Sequence, residues 1–391
     1  MRLGFHYHTP AVVRDGSIKM PGYLGRFIDS LAEFCDEVIC FLHSPSSQDT
    51  DRMTYRIVAE NVSLINIGPH ASVMERTLRS RSYTALLKKY ADKLDVLLVR
   101  GPSPLLPAMV LSSPVPTAVM LVGDYVAGVD NLPQPRWRKE AIRVWSYWNK
   151  LGQDRAASQS LTFVNSRVLY EDLKPKLKNL YEIRTTTLTK EDFFVRADTC
   201  QSKPCRLLYV GRIDRAKGLL DMAEAVALLV ERGEDVTLDL VGWEEKGDPV
   251  LLEINELAAS RNVSDRIHYL GSRSLGPELF ECYRKSDIYL LASRSNFEGF
   301  PRTIWEAMAQ CLPVVATRVG SIPAFVEGAA ELVRPGDVVA LAGAIARLIH
   351  HPEDRRKLIE RGLALARSNT LEAQVAPMVT KMQSWLETQN D

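Results

Sequence analysis

The feature that most restricts this chain is an alternation that runs through most of its length. Short apolar, β-branched runs take turns with stretches whose apolar residues recur at helical spacing. In the first half the strand candidates are Arg2–Tyr7, Glu37–Leu42, Val62–Asn66, Val96–Arg100, Thr117–Val122 and Ser160–Val164. Between them lie helix-period segments such as GYLGRFIDSLAEFC and RSYTALLKKYADKL. Strands separated by helices rather than by tight turns point to βαβ units and a parallel, doubly wound sheet.

The alternation then starts afresh. CRLLYVGRIDRAKGLLDMAEAVALLVERGEDVTLDLVG reads as strand, polar loop, helix, Gly stop and strand, and further strands follow at Ile267–Leu270, Ile288–Ala292 and Pro313–Thr317. Two complete α/β series predict two Rossmann-like lobes, which also suits a chain of 391 residues, too long for one ordinary core. The irregular stretch KLKNLYEIRTTTLTKEDFFVRADTCQSKPC is the expected linker. The division predicted is an N-terminal lobe over 1–190, a C-terminal lobe over 191–370, and a last helix over 371–391 that crosses back to the first lobe, with Pro377 as its break. Ligands of open parallel sheets bind beyond the carboxyl ends of the strands, so two such sheets should share a central cleft.

Charge is balanced overall but not along the chain. Residues 1–190 hold 25 Lys and Arg against 18 Asp and Glu, whereas residues 191–391 hold 24 against 30. A net +7 half suits an anionic lipid surface or a phosphorylated substrate, although a solvated surface with an accidental bias gives the same count. The segment RWRKEAIRVWSYWNKLGQDRA sharpens the question, because Trp137, Trp145 and Trp148 sit among six basic residues. The preferred reading is a buried core face, with Trp145 and Trp148 three apart; an interfacial helix is the alternative. The six cysteines form no C-x-x-C pair or Cys/His cluster, so reduced thiols and no structural zinc are expected. The N-terminus MRLGFHYHTP starts directly on a strand without a signal-peptide pattern, and no run nears the ~18 apolar residues of a membrane span. The expectation is a cytoplasmic protein, at most attached to the inner face of a membrane.

The chemistry concentrates in the second half. YVGRIDRAKG closes a strand on Gly211 and presents Arg212 and Lys217 before a helix, where cations, free amides and the macrodipole together suit a diphosphate. SRSNFEGFPRTIWEAM sets Glu298 and Glu306 across a strand-to-helix turn, with seven residues between them. GRIDRAKG taken with EGFPRTIWEAMAQCLPVVATRVGSIPAFV resembles the retaining glycosyltransferases of the GT-B fold, specifically the GT4 family.

That resemblance implies roles. Arg212 and Lys217 would hold the donor diphosphate and stabilise it as leaving group in place of a metal, so no metal or other cofactor is expected. Glu306 would accept the ribose hydroxyls and Glu298 those of the transferred sugar, with Gly299, Phe300 and Pro301 forming the turn. Pro301 suits the first helical position. Gly242, Trp243, Leu270 and Gly271 are expected near the nucleobase. In the first lobe Gly22, Tyr23 or Gly25 would supply the contact to the phosphates. Asp124 is the candidate for a sugar or acceptor contact, since the His-Asp pair of many relatives lacks its histidine in MLVGDYVAG. His6 and His8 could also face the site but read more naturally as structural. The implied partners are a nucleotide-sugar, UDP-linked by preference, and a glycan or lipid-linked acceptor. Three rivals remain open: a GT-B epimerase or hydrolase, an NAD-dependent dehydrogenase, for which no G-x-G-x-x-G follows a strand, and a non-catalytic sugar-binding protein.

Overall fold

The computed structural model describes residues 1–47, 49–123, 135–244, 248–294 and 300–390. They divide into two compact units, Met1–Thr187 with Leu371–Asp391, and Leu188–Thr370.

The strands of the first unit are β1 (Arg2–His6), β2 (Val12–Arg14), β3 (Ser17–Met20), β4 (Glu37–Ser44), β5 (Tyr55–Arg56), β6 (Val62–Pro69), β7 (Val96–Gly101), β8 (Thr117–Leu121), β9 (Leu161–Val164) and β10 (Leu180–Glu182). Its helices are α1 (Gly22–Ala32), α2 (Val73–Leu78), α3 (Ser80–Lys89), α4 (Leu106–Leu111), α5 (Arg136–Ser158) and α6 (Arg167–Leu173). Seven strands form one parallel sheet in the order β10-β9-β8-β7-β1-β4-β6. Strands β7 and β8 are buried at every position, as continuous apolar runs covered by helices on both faces should be. The expected linker therefore contains a strand, β10, which pairs with β9 at the sheet edge. A separate small antiparallel sheet, β2-β3-β5, fills the long stretch after β1. Its two-residue turn is Asp15–Gly16, both at positive φ (54° and 68°), the backbone that a type I′ hairpin demands.

The second unit holds β11 (Cys205–Val210), β12 (Val236–Val241), β13 (Ile267–Gly271), β14 (Ile288–Leu291), β15 (Val314–Thr317) and β16 (Glu331–Val333). With them are α7 (Leu219–Glu231), α8 (Val250–Ser260), α9 (Pro277–Lys285), α10 (Arg302–Ala309), α11 (Ile322–Val326), α12 (Val338–His350) and α13 (Pro352–Arg367). Its parallel sheet runs β13-β12-β11-β14-β15-β16. Counted from its own first strand, that order is 3-2-1-4-5-6, the dinucleotide-fold order whose switch point lies between β11 and β14. The last helix, α14 (Leu371–Asn390), runs on through Pro377 and buries Leu371, Val375, Met378 and Met382 in the core of the first unit, against α1.

Helix α5 overturns the core reading of its tryptophans. Trp137 is 73% exposed and Trp148 67%, while Trp145 is half-buried. The side turned inward carries Ser146, Asn149, Gln153, Ala156 and Ala157. The packing surface offered by α4 is close: a Cβ on Gly152 would lie 3.0 Å from the Pro107 ring. Only small or slender side chains fit that contact, so the large apolar ones point outward. Among the described residues no helix is long and apolar enough to cross a membrane.

Candidate donor site in the second unit

The candidate site is built from the loops at the carboxyl ends of β11, β12, β13 and β14. Backbone hydrogen bonds fasten them side by side: Gly211 N donates to Val241 O (2.9 Å), Ile213 N to Trp243 O (2.9 Å), and Gly242 N to Gly271 O (3.0 Å). The Tyr269 hydroxyl adds a bond to Gly242 O at 3.0 Å. Loops this close leave no room for side chains at their crossing points. A Cβ on Gly242 would stand 1.7 Å from Gly211 O, and one on Gly218 would stand 1.9 Å from Ala292 O. Gly218 also adopts the left-handed conformation (φ 69°) that turns the loop into α7.

This scaffold brings Gly211, Arg212, Lys217, Gly242, Trp243, Leu270 and Gly271 to one end of one sheet. Arg212 is exposed, and its guanidinium lies 3.4 Å from the buried Asp214 carboxylate. Tyr209, buried within β11, donates its hydroxyl to Arg212 O at 2.7 Å and so fixes the backbone beneath that cation. Lys217 is half-buried at the end of a single 3-10 turn, Arg215–Lys217, immediately before α7. Arg215 is engaged elsewhere, ion-paired with Glu253, with its amide donating to Asp248 at 3.0 Å. Trp243 is 47% exposed, and Leu270 packs half-buried against the core.

The β14 side is clamped to the same loop. Arg294 forms a forked ion pair with Asp221, a 5%-exposed carboxylate in the first turn of α7, and its amide donates to Ala216 O at 2.9 Å. The pair raises the Arg294 pKa above its ordinary value, chiefly through the hydrogen bond. Glu298 and Gly299 lie outside the described residues. Phe300 is described: its ring is buried and stacked on Trp305 at 4.2 Å. Pro301 is the N-cap of α10 rather than its first helical residue, one position from expectation.

Glu306 lies five residues into α10 and is 4% exposed. A buried carboxylate needs donors. The fully buried Tyr283 of α9 supplies one, its hydroxyl donating to Glu306 Oε2 at 2.8 Å. Burial, and then the neighbouring carboxylate, push the Tyr283 pKa well above the ordinary phenol value, so the phenol keeps its proton. Another buried phenol, Tyr289, bonds Thr303 Oγ1 (2.6 Å) and Val210 O (3.3 Å), tying α10 to the end of β11. Tyr209, Tyr283, Tyr289, Asp214 and the Asp221–Arg294 pair all escaped the sequence reading. Asp221 three residues after the K-G of the loop was the one visible hint.

In the first unit Gly22 opens α1, whereas Gly25 is explained by packing. Its amide donates to Pro21 O at 3.0 Å, and a Cβ there would stand 2.1 Å from the Tyr55 ring. Asp124 lies outside the described residues. His6 is buried and His8 half-buried beside the β1–β7 switch point; Nδ1 of His6 bonds Phe41 O at 2.8 Å, and Nδ1 of His8 bonds Pro102 O at 3.0 Å. Burial lowers both, to about 4 and about 3 respectively. Two arginines unremarked in the sequence share that end: Arg76, 5% exposed, and Arg100, 7% exposed, whose guanidinium lies 4.9 Å from the Tyr7 ring centroid. Among the described residues no group of three or more His, Cys, Asp or Glu could hold a metal ion.

Known proteins resemble this chain in sequence and in fold. The family model described as glycosyl transferases group 1 matches residues 192–364. An MMP α-(1→4)-mannosyltransferase of Mycolicibacterium hassiacum is 30% identical over 58% of this chain and 54% of its own. A D-inositol 3-phosphate glycosyltransferase of Corynebacterium urealyticum is 33% identical over 39% of this chain and 36% of its own. The chain thus spans about half or less of the length of these relatives. Among solved structures, sucrose-phosphate synthase of Thermosynechococcus elongatus superposes with a TM-score of 0.72 at 18% identity, covering 99% of this chain and 100% of that one. HepE of Anabaena, in complex with UDP, gives 0.70 at 16%, covering 97% and 100%. The chain has the GT-B fold, and its residues 192–364 are similar to the glycosyl transferases group 1 family.

Proposed function

We propose that this protein transfers a sugar from a nucleotide-sugar, a UDP-sugar first among the candidates, to an acceptor hydroxyl with retention of anomeric configuration. The observation that carries the reading is the scaffold that holds Arg212 and Lys217 before the N-terminus of α7, at the switch point of the sheet, with the buried Glu306 on the neighbouring α10. The two cations, the amides of the turn and the macrodipole suit a diphosphate. They neutralise charge on the leaving group without calling for a metal. Glu306 offers two oxygens to the ribose diol. Solved relatives carry UDP and UDP-glucose, which favours uridine.

In the step we propose, the bond from the anomeric carbon to the β-phosphate oxygen breaks and a bond to the acceptor oxygen forms on the same face. The acceptor's proton passes to the leaving phosphate, and Arg212 and Lys217 stabilise the charge that develops there. Glu298 would hold the transferred sugar and Asp124 would contact it or the acceptor. Relatives named for amylovoran and inositol-phosphate glycosylation suit a glycan or lipid-linked acceptor in cell-surface assembly. The test is a screen of UDP- and GDP-sugars with the purified protein, following nucleoside diphosphate release and the anomeric signal of the product by NMR, with and without EDTA. Retained configuration, turnover insensitive to EDTA and loss of turnover in Lys217→Ala are expected. Full activity in Lys217→Ala, or binding of NAD in place of nucleoside diphosphates, would overturn the reading.

A further inference from the structure

On α5 the outward side chains form a stripe. Trp137, Val144, Trp148 and Leu151 follow one another at spacings of seven, four and three, which places them on one side of a helix, with Tyr147 alongside. Their exposures are 73%, 58%, 67%, 43% and 56%. A helix that serves only to cover a sheet does the reverse: it buries its large apolar residues and wets its Ser, Asn and Gln. Here the inward side is Ser146, Asn149 and Gln153, with Gln153 donating to Asn149 Oδ1 at 2.9 Å, and the fold gains nothing from two solvated indoles.

The charge around the stripe indicates what meets it. Helix α5 carries six basic residues against Glu140 and Asp154. Arg136 and Arg138 at its start and Arg155 near its end are exposed. Helix α2, linked to α5 through α3 and α4, likewise exposes Met74 (74%) and Leu78 (78%). Tryptophan and tyrosine rings flanked by arginines match the boundary between headgroups and acyl chains, where the ring is buried, its N–H or O–H stays wet, and the cations meet phosphate. A second copy of the chain would bring the same positive charge against itself. A sugar-nucleotide or an acidic glycan would use the arginines and stack on a ring, but would leave the exposed aliphatic side chains of Val144 and Leu151 without an apolar partner.

We propose that α5 is a membrane-seating helix, which lays its Trp137–Leu151 stripe into the interface of an anionic bilayer while its arginines contact lipid phosphates. The seat goes beyond the transfer reaction and does not depend on it. Its tests need no substrate. The whole protein is mixed with vesicles of phosphatidylcholine alone and of phosphatidylcholine with phosphatidylglycerol, and binding is read by co-sedimentation and by tryptophan quenching with brominated lipid. Binding to the anionic vesicles, weakened by salt, and little to the neutral ones is expected. The double variant Trp137→Ser/Trp148→Ser should lose about tenfold or more in vesicle affinity, since two exposed rings no longer enter the interface. Circular dichroism should be unchanged, because both rings are already outside the core. Equal affinity of wild type and variant, equal binding to neutral vesicles, or no binding to either would overturn the proposal. A dimer in sedimentation equilibrium that the same substitutions dissociate would assign the stripe to self-association and overturn it as well.

Discussion

Removing one oxygen atom tests how the candidate site is held together. Tyr283→Phe deletes the hydroxyl that donates to Glu306 Oε2 at 2.8 Å, in surroundings where Tyr283 is fully buried and Glu306 is 4% exposed. The ring stays and leaves almost no cavity, so the change is confined to the hydrogen bond. A bond to an ionised group contributes roughly 1.5–3 kcal/mol, which corresponds to about a 10- to 150-fold change in an equilibrium constant. A carboxylate that loses this donor is held less firmly in place and offers less to a ribose diol. The assay is calorimetric binding of UDP and of 2′-deoxy-UDP to wild type and variant, with thermal unfolding run in parallel. Wild type should prefer UDP. The variant should bind UDP at least about tenfold more weakly and 2′-deoxy-UDP nearly as before, so that the preference shrinks. If the two ligands weaken together in step with a fall in Tm, Tyr283 is a packing residue and the positioning argument fails. Failure of wild type to distinguish the ligands would instead remove Glu306 from the ribose.

Other substitutions probe the loops and the buried charges. Gly218→Ala would push a Cβ to 1.9 Å from Ala292 O in a left-handed conformation, and should cost about a hundredfold or more in donor turnover. Gly233→Ala is its control: φ is also positive, but nothing lies within 4 Å of the added Cβ, so stability should fall by about 1 kcal/mol with kcat/KM intact. Equal turnover in the two variants would refute the crowding argument. Asp221→Asn replaces the carboxylate that Arg294 grips, and should raise the donor KM with little change in far-UV circular dichroism; an unchanged KM would show that the clamp does not shape the site. Burial lowers His6 to about 4, and His8 and His43 to about 3. These rings stay neutral in the folded state while an unfolded histidine titrates near ~6.5. Their stabilisation is therefore complete above about pH 6.5 and is lost as pH falls from there toward 4 and 3, at up to ~1.4 kcal/mol per pH unit for each ring. Protection factors of the β1 and β4 amides, the intrinsic rate divided by the observed one, should fall as pH is lowered from 7 to 5; protection constant over that range would contradict the assignment.

The two-unit fold was legible because every principal strand of both sheets announces itself as an apolar run between helical periods. What escaped was too short or too local to leave a period. Leu180–Glu182 and Glu331–Val333 are three-residue edge strands, and the β2–β3 hairpin was signalled only by Asp15–Gly16. The candidate site divides along a similar line. Arg212, Lys217 and Glu306 can be read from sequence because they sit at fixed offsets from glycines and a proline that the backbone itself requires. The residues that hold them cannot. Tyr283 reaches Glu306 from a different helix, and Asp221 meets Arg294 across 73 positions of chain. Such pairs are set by the crossing of elements, not by spacing within one.

Helix α5 failed for a more general reason. Trp145 and Trp148 lie three apart, and helical spacing shows only which residues share a side, never which side the protein turns inward. The deciding fact is the shape of the partner: α4 approaches so closely at Pro107 that the contact admits Gly152 but not an indole. The small and polar residues of α5 (Ser146, Asn149, Gly152, Gln153, Ala156) already trace a continuous line down the helix. Read as a groove for a neighbouring helix rather than as a wetted side, that line would have predicted an outward Trp137 and Trp148. In a helix with one small-residue side and one aromatic, arginine-flanked side, it is the small side that marks the contact within the fold, and the aromatic side is left for something outside it.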